Sequence, residues 1–362
     1  MISRTTGAVL VLALAAAAVT VARPGQAAVA PCQGHEVTIS ATRDSQEIKG
    51  TDGDDVISTA GFDRVTVWDG GGNDLVCATT GRHAFLVSGP GSDGFVGGPT
   101  TTISYSQATA AVRIDLASGT VVDGADTDTV AGIHRVVGTS YADTFVGSDG
   151  DDTFTSWGAG DAPWDDAVVV RSGAGDDTVR AEGGGDIDLG PGDDEAVVVK
   201  GTVDGGAGDD ELQLVGSGVA NGGPGRDLLT ATAGVEDYGP SGEGARLVVN
   251  GGAGRDVIAQ PSTPGRADVD GGSGRDTLTF GGRRAVVDLA AGSSRTGYGR
   301  ASLRSIENVV GSSRDDVIRG NSADNRLTGG GGIDVLIGRG GRDTAVGGPG
   351  RDRCVAEVRR TC

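Results

Sequence analysis

The sequence is poor in the residues from which most cores and most active sites are built. Aromatic residues make up only 4% of 362, which excludes a thick globular core of large side chains. Lysine occurs only at 49 and 200, so there is no phosphate-cradling G-x-x-x-x-G-K-[ST] loop. Histidine is limited to His35, His83 and His134, with no H-E-x-x-H zinc motif. These three read as solvated loop residues. No G-x-S-x-G stands in a strand–turn–helix context, so a nucleophile elbow is missing too. Positive charge is scarce: 30 basic against 50 acidic residues leave a formal charge of −20. Nucleic acid and anionic membrane surfaces are therefore poor partners, and divalent cations good ones. The apolar run "GAVLVLALAAAAVTVA" (7–22) is too short for a membrane span. With Arg4 before it and "GQAAVA" (25–30) after it, it reads as a secretory signal peptide over 1–27, cleaved between 27 and 30. The expected location is extracellular, with no membrane span.

What is abundant is glycine, 67 residues, and it returns on a beat. The unit is G-G-x-G-x-D-x-U-x, with U apolar. It runs head to tail five times from Gly311 to Val355, in "GSSRDDVIR", "GNSADNRLT", "GGGGIDVLI", "GRGGRDTAV" and "GGPGRDRCV". A fixed short period decides the whole fold. Three residues, x-U-x, make a short strand with U on one face. The other six reverse the chain, and glycine supplies the positive φ that tight turns need. Bare turn carbonyls plus one carboxylate per turn are the oxygen ligands of a hard cation, namely calcium.

The array resembles the calcium-binding nonapeptide repeats of RTX and hemolysin-type proteins. The resemblance implies an all-β, right-handed parallel β-roll or β-solenoid, two units per coil, with calcium between Gly/Asp turns stacked on one side. The unit recurs upstream in "GTDGDDVIS" (50–58), "DGGGNDLVC" (69–77), "SGPGSDGFV" (88–96) and the tandem "GTSYADTFVGSDGDDTFT" (138–155). It returns in "SGAGDDTVR" (172–180), "LGPGDDEAV" (189–197), "GGAGDDELQ" (205–213), "GGPGRDLLT" (222–230), "GGAGRDVIA" (251–259) and "GGSGRDTLT" (271–279). Carried over turn by turn, the implied ligands of several Ca2+ ions are Asp55, Asp74, Asp93, Asp143, Asp152, Asp177, Asp194, Asp210, Asp227, Asp256, Asp276, Asp316, Asp334, Asp343 and Asp352. Asn325 departs from the pattern and weakens its turn.

Successive tandem turns must alternate sides. Asp316, Asp334 and Asp352 are thus expected on one edge, Asn325 and Asp343 on the other. Between Asp177 and Asp227 the aspartates recur about every two units, so they are expected in one column on one edge. The opposite turns there, "EGGGD" (182–186), "VKGT" (199–202) and "GSG" (216–218), lack the G-x-D pattern. The wider spacings to Asp256 and Asp276 imply bulging loops.

Along the chain the pattern gives an N-terminal cap (28–47), a first roll block (48–158), an irregular connection (159–171), a second block (172–355) and a C-terminal cap (356–362). Two non-repeat segments resemble each other, 103–147 and 278–320, and read as one broadened coil in each block. Trp157 and Trp164 are read as packing over a coil edge; the alternative is an exposed pair that stacks on sugar rings. Four cysteines in an exported chain favour disulfides. They cluster at the two ends, predicting Cys32–Cys77 and Cys354–Cys362; the alternative is that Cys77 and Cys354 are merely small buried residues. Paired acids such as Asp176–Asp177 and Asp209–Asp210 could cleave glycosidic linkages, but they fall at repeat positions five and six, where calcium turns explain them. The expected function is a non-enzymatic calcium-binding structural or adhesive protein that folds on calcium, with cell-surface or extracellular polysaccharide as a further partner. The alternative is a solenoid enzyme acting on polysaccharide through the irregular loops 156–171 and 231–250.

Overall fold

A three-residue strand can bury one side chain, and the fold follows from that limit. In Val56–Ser58 the central Ile57 is buried, in Leu75–Cys77 it is Val76, and in Gly94–Val96 it is Phe95. The computed structural model describes residues 32–59, 61–78, 83–157, 167–232, 246–262, 266–297 and 299–362. The signal peptide expected over 1–27, Trp164, most of the 159–171 connection and most of the 231–250 loop lie outside the described residues.

Strands pair in parallel with the next but one in sequence. Val56–Ser58 pairs with Leu75–Cys77, and Val65–Trp68 with Ala84–Val87. The chain thus alternates between two parallel sheets, and each coil is two strands and two turns. The fold is an all-β parallel roll of 34 strands, with no helix among the described residues. Its core is a thin file of inward Val, Ile, Leu and Ala between the sheets. Tyr105, Phe95, Phe145 and Phe154 are the bulky exceptions; the last two come from opposite sheets and stack with ring centroids 4.7 Å apart.

The two non-repeat segments do broaden their coils. Val112–Asp115, Thr120–Asp123 and Asp126–Ala131 form an antiparallel meander. Its last strand continues the ladder from Gly94–Val96, and its first passes it on to Thr144–Val146. Val286–Asp288, Ser293–Arg295 and Arg300–Arg304 repeat the device, joined to Arg266–Gly274 on one side and Val317–Arg319 on the other. The ladder also runs across the central connection: Thr144–Val146 pairs with Val168–Arg171, and Thr153–Ser156 with Thr178–Ala181. The two blocks are stacked in one roll.

Both predicted disulfides are present. Cys32–Cys77, with Cα atoms 5.7 Å apart, ties the N-terminal cap to the first sheet, and Cys354–Cys362, at 5.9 Å, closes the other end. Trp157 is half exposed rather than packed away. Because Phe154 fills a cross-sheet volume that no small neighbour can refill, Phe154→Ala is expected to destabilise the calcium-loaded protein by about 3–5 kcal/mol. Denaturant unfolding at saturating calcium measures this; a change below about 1 kcal/mol would mean that the stack contributes little.

Candidate metal-binding columns

The turn Gly205–Asp210 shows how the site is built. Gly206 has φ +98°, and a Cβ there would fall on the Gly190 carbonyl of the preceding coil. A Cβ on Gly205 would fall on Asp210 Oδ2 and on the Gly222 carbonyl of the next coil. The glycines therefore let turn backbones touch between coils and let the aspartate fold back beneath its own turn. Its Oδ1 accepts the Asp194 N–H at 3.0 Å, and the Asp210 N–H in turn donates to Asp227 Oδ1 at 3.1 Å.

Repeated from coil to coil, this bond makes columns. The longest occupies one edge and links Asp152, Asp177, Asp194, Asp210, Asp227, Asp256 and Asp276, each N–H donating to the next Oδ1 at 2.7–3.1 Å. The single column expected between Asp177 and Asp227 is therefore observed. It continues through Glu307, which accepts the Asp276 N–H, to Asn325, Asp343 and Glu357. The other edge carries Asp55, Asp74, Asp93 and Asp128 near the start. It carries Asp143 alone, and then Asp316, Asp334 and Asp352 near the end. The alternation expected of the tandem units holds. In the middle coils that edge has no turn aspartate among the described residues; the strand Glu195–Asp204 instead rounds the corner at Lys200 and Gly201, both with positive φ, and enters both sheets.

The second carboxylate oxygen separates two kinds of rung. In Asp74, Asp93, Asp177, Asp194, Asp210, Asp227, Asp256, Asp276, Asp334, Asp343 and Asp352, Oδ2 is buried with no hydrogen-bond partner. Such an atom costs free energy unless something positive meets it. In Asp55, Asp143, Asp152 and Asp316 it is satisfied by the N–H of Thr51, Thr139, Ser148 and Ser312, and each of those hydroxyls adds a bond to the same carboxylate. These four stand where a column starts. There is no upstream turn to share a cation with, and Thr or Ser replaces the second glycine.

Four rungs lie outside the fifteen positions expected from the repeat. Asp128, inside the strand Asp126–Ala131, and Glu307, just before Asn308–Val310, keep the D-x-U frame, Glu307 with a longer acid, and Glu357 follows the last unit; relaxing the unit to any acid before an apolar alternation would have found the first two. The fourth is His134: rather than a solvated loop residue, it meets Asp152 with Nδ1 2.9 Å from Oδ1 and heads the long column.

Burial, with neighbouring carboxylates adding to it, drives several of the turn aspartates up against the opposing N–H bonds. Asp93, Asp177 and Asp227 reach about 7, and Asp74, Asp194, Asp210 and Asp276 about 6. In the rungs with an unsatisfied Oδ2 the structure brings together oxygen ligands, in stacked pairs, which suits a hard cation such as calcium.

A parallel roll with stacked glycine–aspartate turns and rows of unsatisfied carboxylates defines a class, the cation-binding β-roll. The family model of the RTX calcium-binding nonapeptide repeat, in 4 copies, matches residues 135–161, 305–336 and 319–354, so those segments are similar to that repeat. These matches support a calcium-binding repeat protein. No curated protein matches it. The turns between 172 and 279 fall outside the matched segments, yet they build the longest column.

Two outcomes are expected. Asp210→Ala, which removes an open rung, should release more calcium than Asp152→Ala, whose carboxylate its own turn already satisfies; equal losses by isothermal titration would contradict the distinction. The second concerns pH without calcium. Raised folded pKa values mean that the metal-free roll holds protons the unfolded chain, near 3.8, has released. This contribution is complete below about pH 4 and is lost as pH rises through 6 to 7. In chelator the protein should therefore be more compact at about pH 5 than at about pH 8 by small-angle scattering. The opposite order would contradict the burial of these acids.

Proposed function

We propose that this protein is secreted and acts outside the cell as a non-enzymatic structural or adhesive roll whose folding is driven by calcium. The observation that carries the reading is the file of buried Oδ2 atoms with no partner. Coils stack about 4.8 Å apart, so carboxylates at that spacing oppose the fold until a cation lies between them. The site is absent from the unfolded chain, and binding free energy then becomes folding free energy. Four cysteines paired in two bridges support an oxidising compartment. A polysaccharide partner remains part of the proposal, recognised outside the columns.

Circular dichroism tests the reading. A β-rich compact state is expected in roughly millimolar calcium, the range of extracellular modules, and an expanded state in chelator at neutral pH. Identical spectra in both would refute it. The catalytic alternative is tested in parallel by incubating the protein with neutral and acidic polysaccharides, with and without calcium. New reducing ends or unsaturated products would overturn the non-enzymatic role.

A further inference from the structure

One gap in the first column is unlike the others. In the long column the first turn position carries no acid: it is Ser172 and Leu189, then glycine at 205, 222, 251 and 271, where a Cβ would press on the turn's own aspartate. In the N-terminal coils the same position is held by Asp69, Ser88 and Tyr105, each following a strand of the second sheet. A second polar file therefore faces Asp74, Asp93 and Asp128. Asp69 is 1% exposed, and its carboxylate lies within 4.8 Å of those of Asp74 and Asp93. Its Oδ1 accepts the Gly89 N–H at 2.8 Å; its Oδ2, like those of Asp74 and Asp93, has no partner.

The neighbourhood supports a ligand independently of the acids. The Tyr105 hydroxyl is fully buried, has no partner in hydrogen-bonding geometry, and faces the same acids, Asp128 foremost, then Asp93 and Asp69. Asp128, by contrast, is closed: Oδ1 accepts the Asp93 N–H at 2.9 Å and Oδ2 the Ser88 hydroxyl at 3.2 Å. The open group is thus the trio alone. It is also rigidly framed, since Cys77, at the end of the strand that Asp74 opens, is bridged to Cys32.

We propose that Asp69 joins Asp74 and Asp93 as a third carboxylate and makes the gap between these two rungs a high-affinity site for a hard cation, calcium, which fills before the ordinary gaps of the roll. An ordinary gap offers the carboxylates of two successive rungs. This one offers three, the third from a residue outside the repeat's ligand positions. Affinity for calcium rises with ligand charge and rigidity, and both are higher here. The site nucleates the N-terminal end of the roll, where the first disulfide lies. This rests on the calcium reading above but makes a claim about one site.

Terbium, a trivalent stand-in for calcium, tests it, because Trp68 directly precedes Asp69 and can sensitise its emission. The experiment uses the full chain with Trp157→Phe and Trp164→Phe, so that only Trp68 reports. The first terbium bound should give Trp68-sensitised emission, displaced by calcium. Asp69→Asn, which keeps the shape and the Gly89 bond, should weaken that first phase at least about tenfold, while Asp210→Asn leaves it unchanged. Should Asp69→Asn fail to fold in calcium by circular dichroism, Asp69→Gly, the residue the repeat itself uses, serves instead. An unchanged first phase in the Asp69 variants, or early binding without Trp68 emission, overturns this site and leaves the calcium roll standing. No binding of terbium or calcium anywhere overturns both.

Discussion

Everything in this molecule depends on how one carboxylate is divided. Within a column, a turn aspartate gives one oxygen to the backbone N–H of the coil before it and, except where the column starts, keeps the other dry. The first bond sets the register between coils. The second oxygen makes the same stacking unfavourable, because a buried charge without a partner is costly. A cation between coils reverses the sign of that term and joins neighbouring coils through the atoms that otherwise hold them apart. Folding and metal binding are therefore one process.

The thin core makes this dependence necessary. Most strands of the repeat bury a single central side chain, and the inward file is mainly Val, Ile, Leu and Ala. Each coil contacts only its neighbours, so stability adds up along the axis rather than in three dimensions. Such a stack is weakest at its ends, and there the chain places its two disulfides. The same logic accounts for Thr51, Thr139, Ser148 and Ser312. Where a column begins, no upstream turn completes a cation site, and a hydroxyl with its own N–H takes over the carboxylate.

The two edges are not equivalent. One carries an almost continuous file of acids from Asp152 to Glu357, interrupted only by the Asn325 amide; the other is broken by the antiparallel meanders and by the tight corners of the middle coils. Those corners shorten each coil to 16 or 17 residues between stacked aspartates. A turn rebuilt around Lys200 and Gly201 has no room for the six-residue loop that presents an acid. Cation binding and chain economy thus compete for the same edge, and in the middle of the roll the shorter turn prevails.

Much of this was legible in the residues themselves. A nine-residue period with one apolar position gives a short strand and a glycine turn in every unit, and the resemblance to the RTX repeat implied that these stack as a parallel roll. The spacing of Asp177, Asp194, Asp210 and Asp227 placed them in one column, since the coil length is a sequence quantity. The cysteine positions sufficed for the pairing. Other features required coordinates. Tyr105 and Asp69 belong to different segments, and only stacking brings both to one file. Asp128 lies in an antiparallel strand whose return to the ladder no repeat announces. His134 met Asp152 because a broadened coil set it one rung above. Period fixes what repeats; which oxygens remain unsatisfied is decided by neighbours one coil away, and that distance exists only in the folded chain.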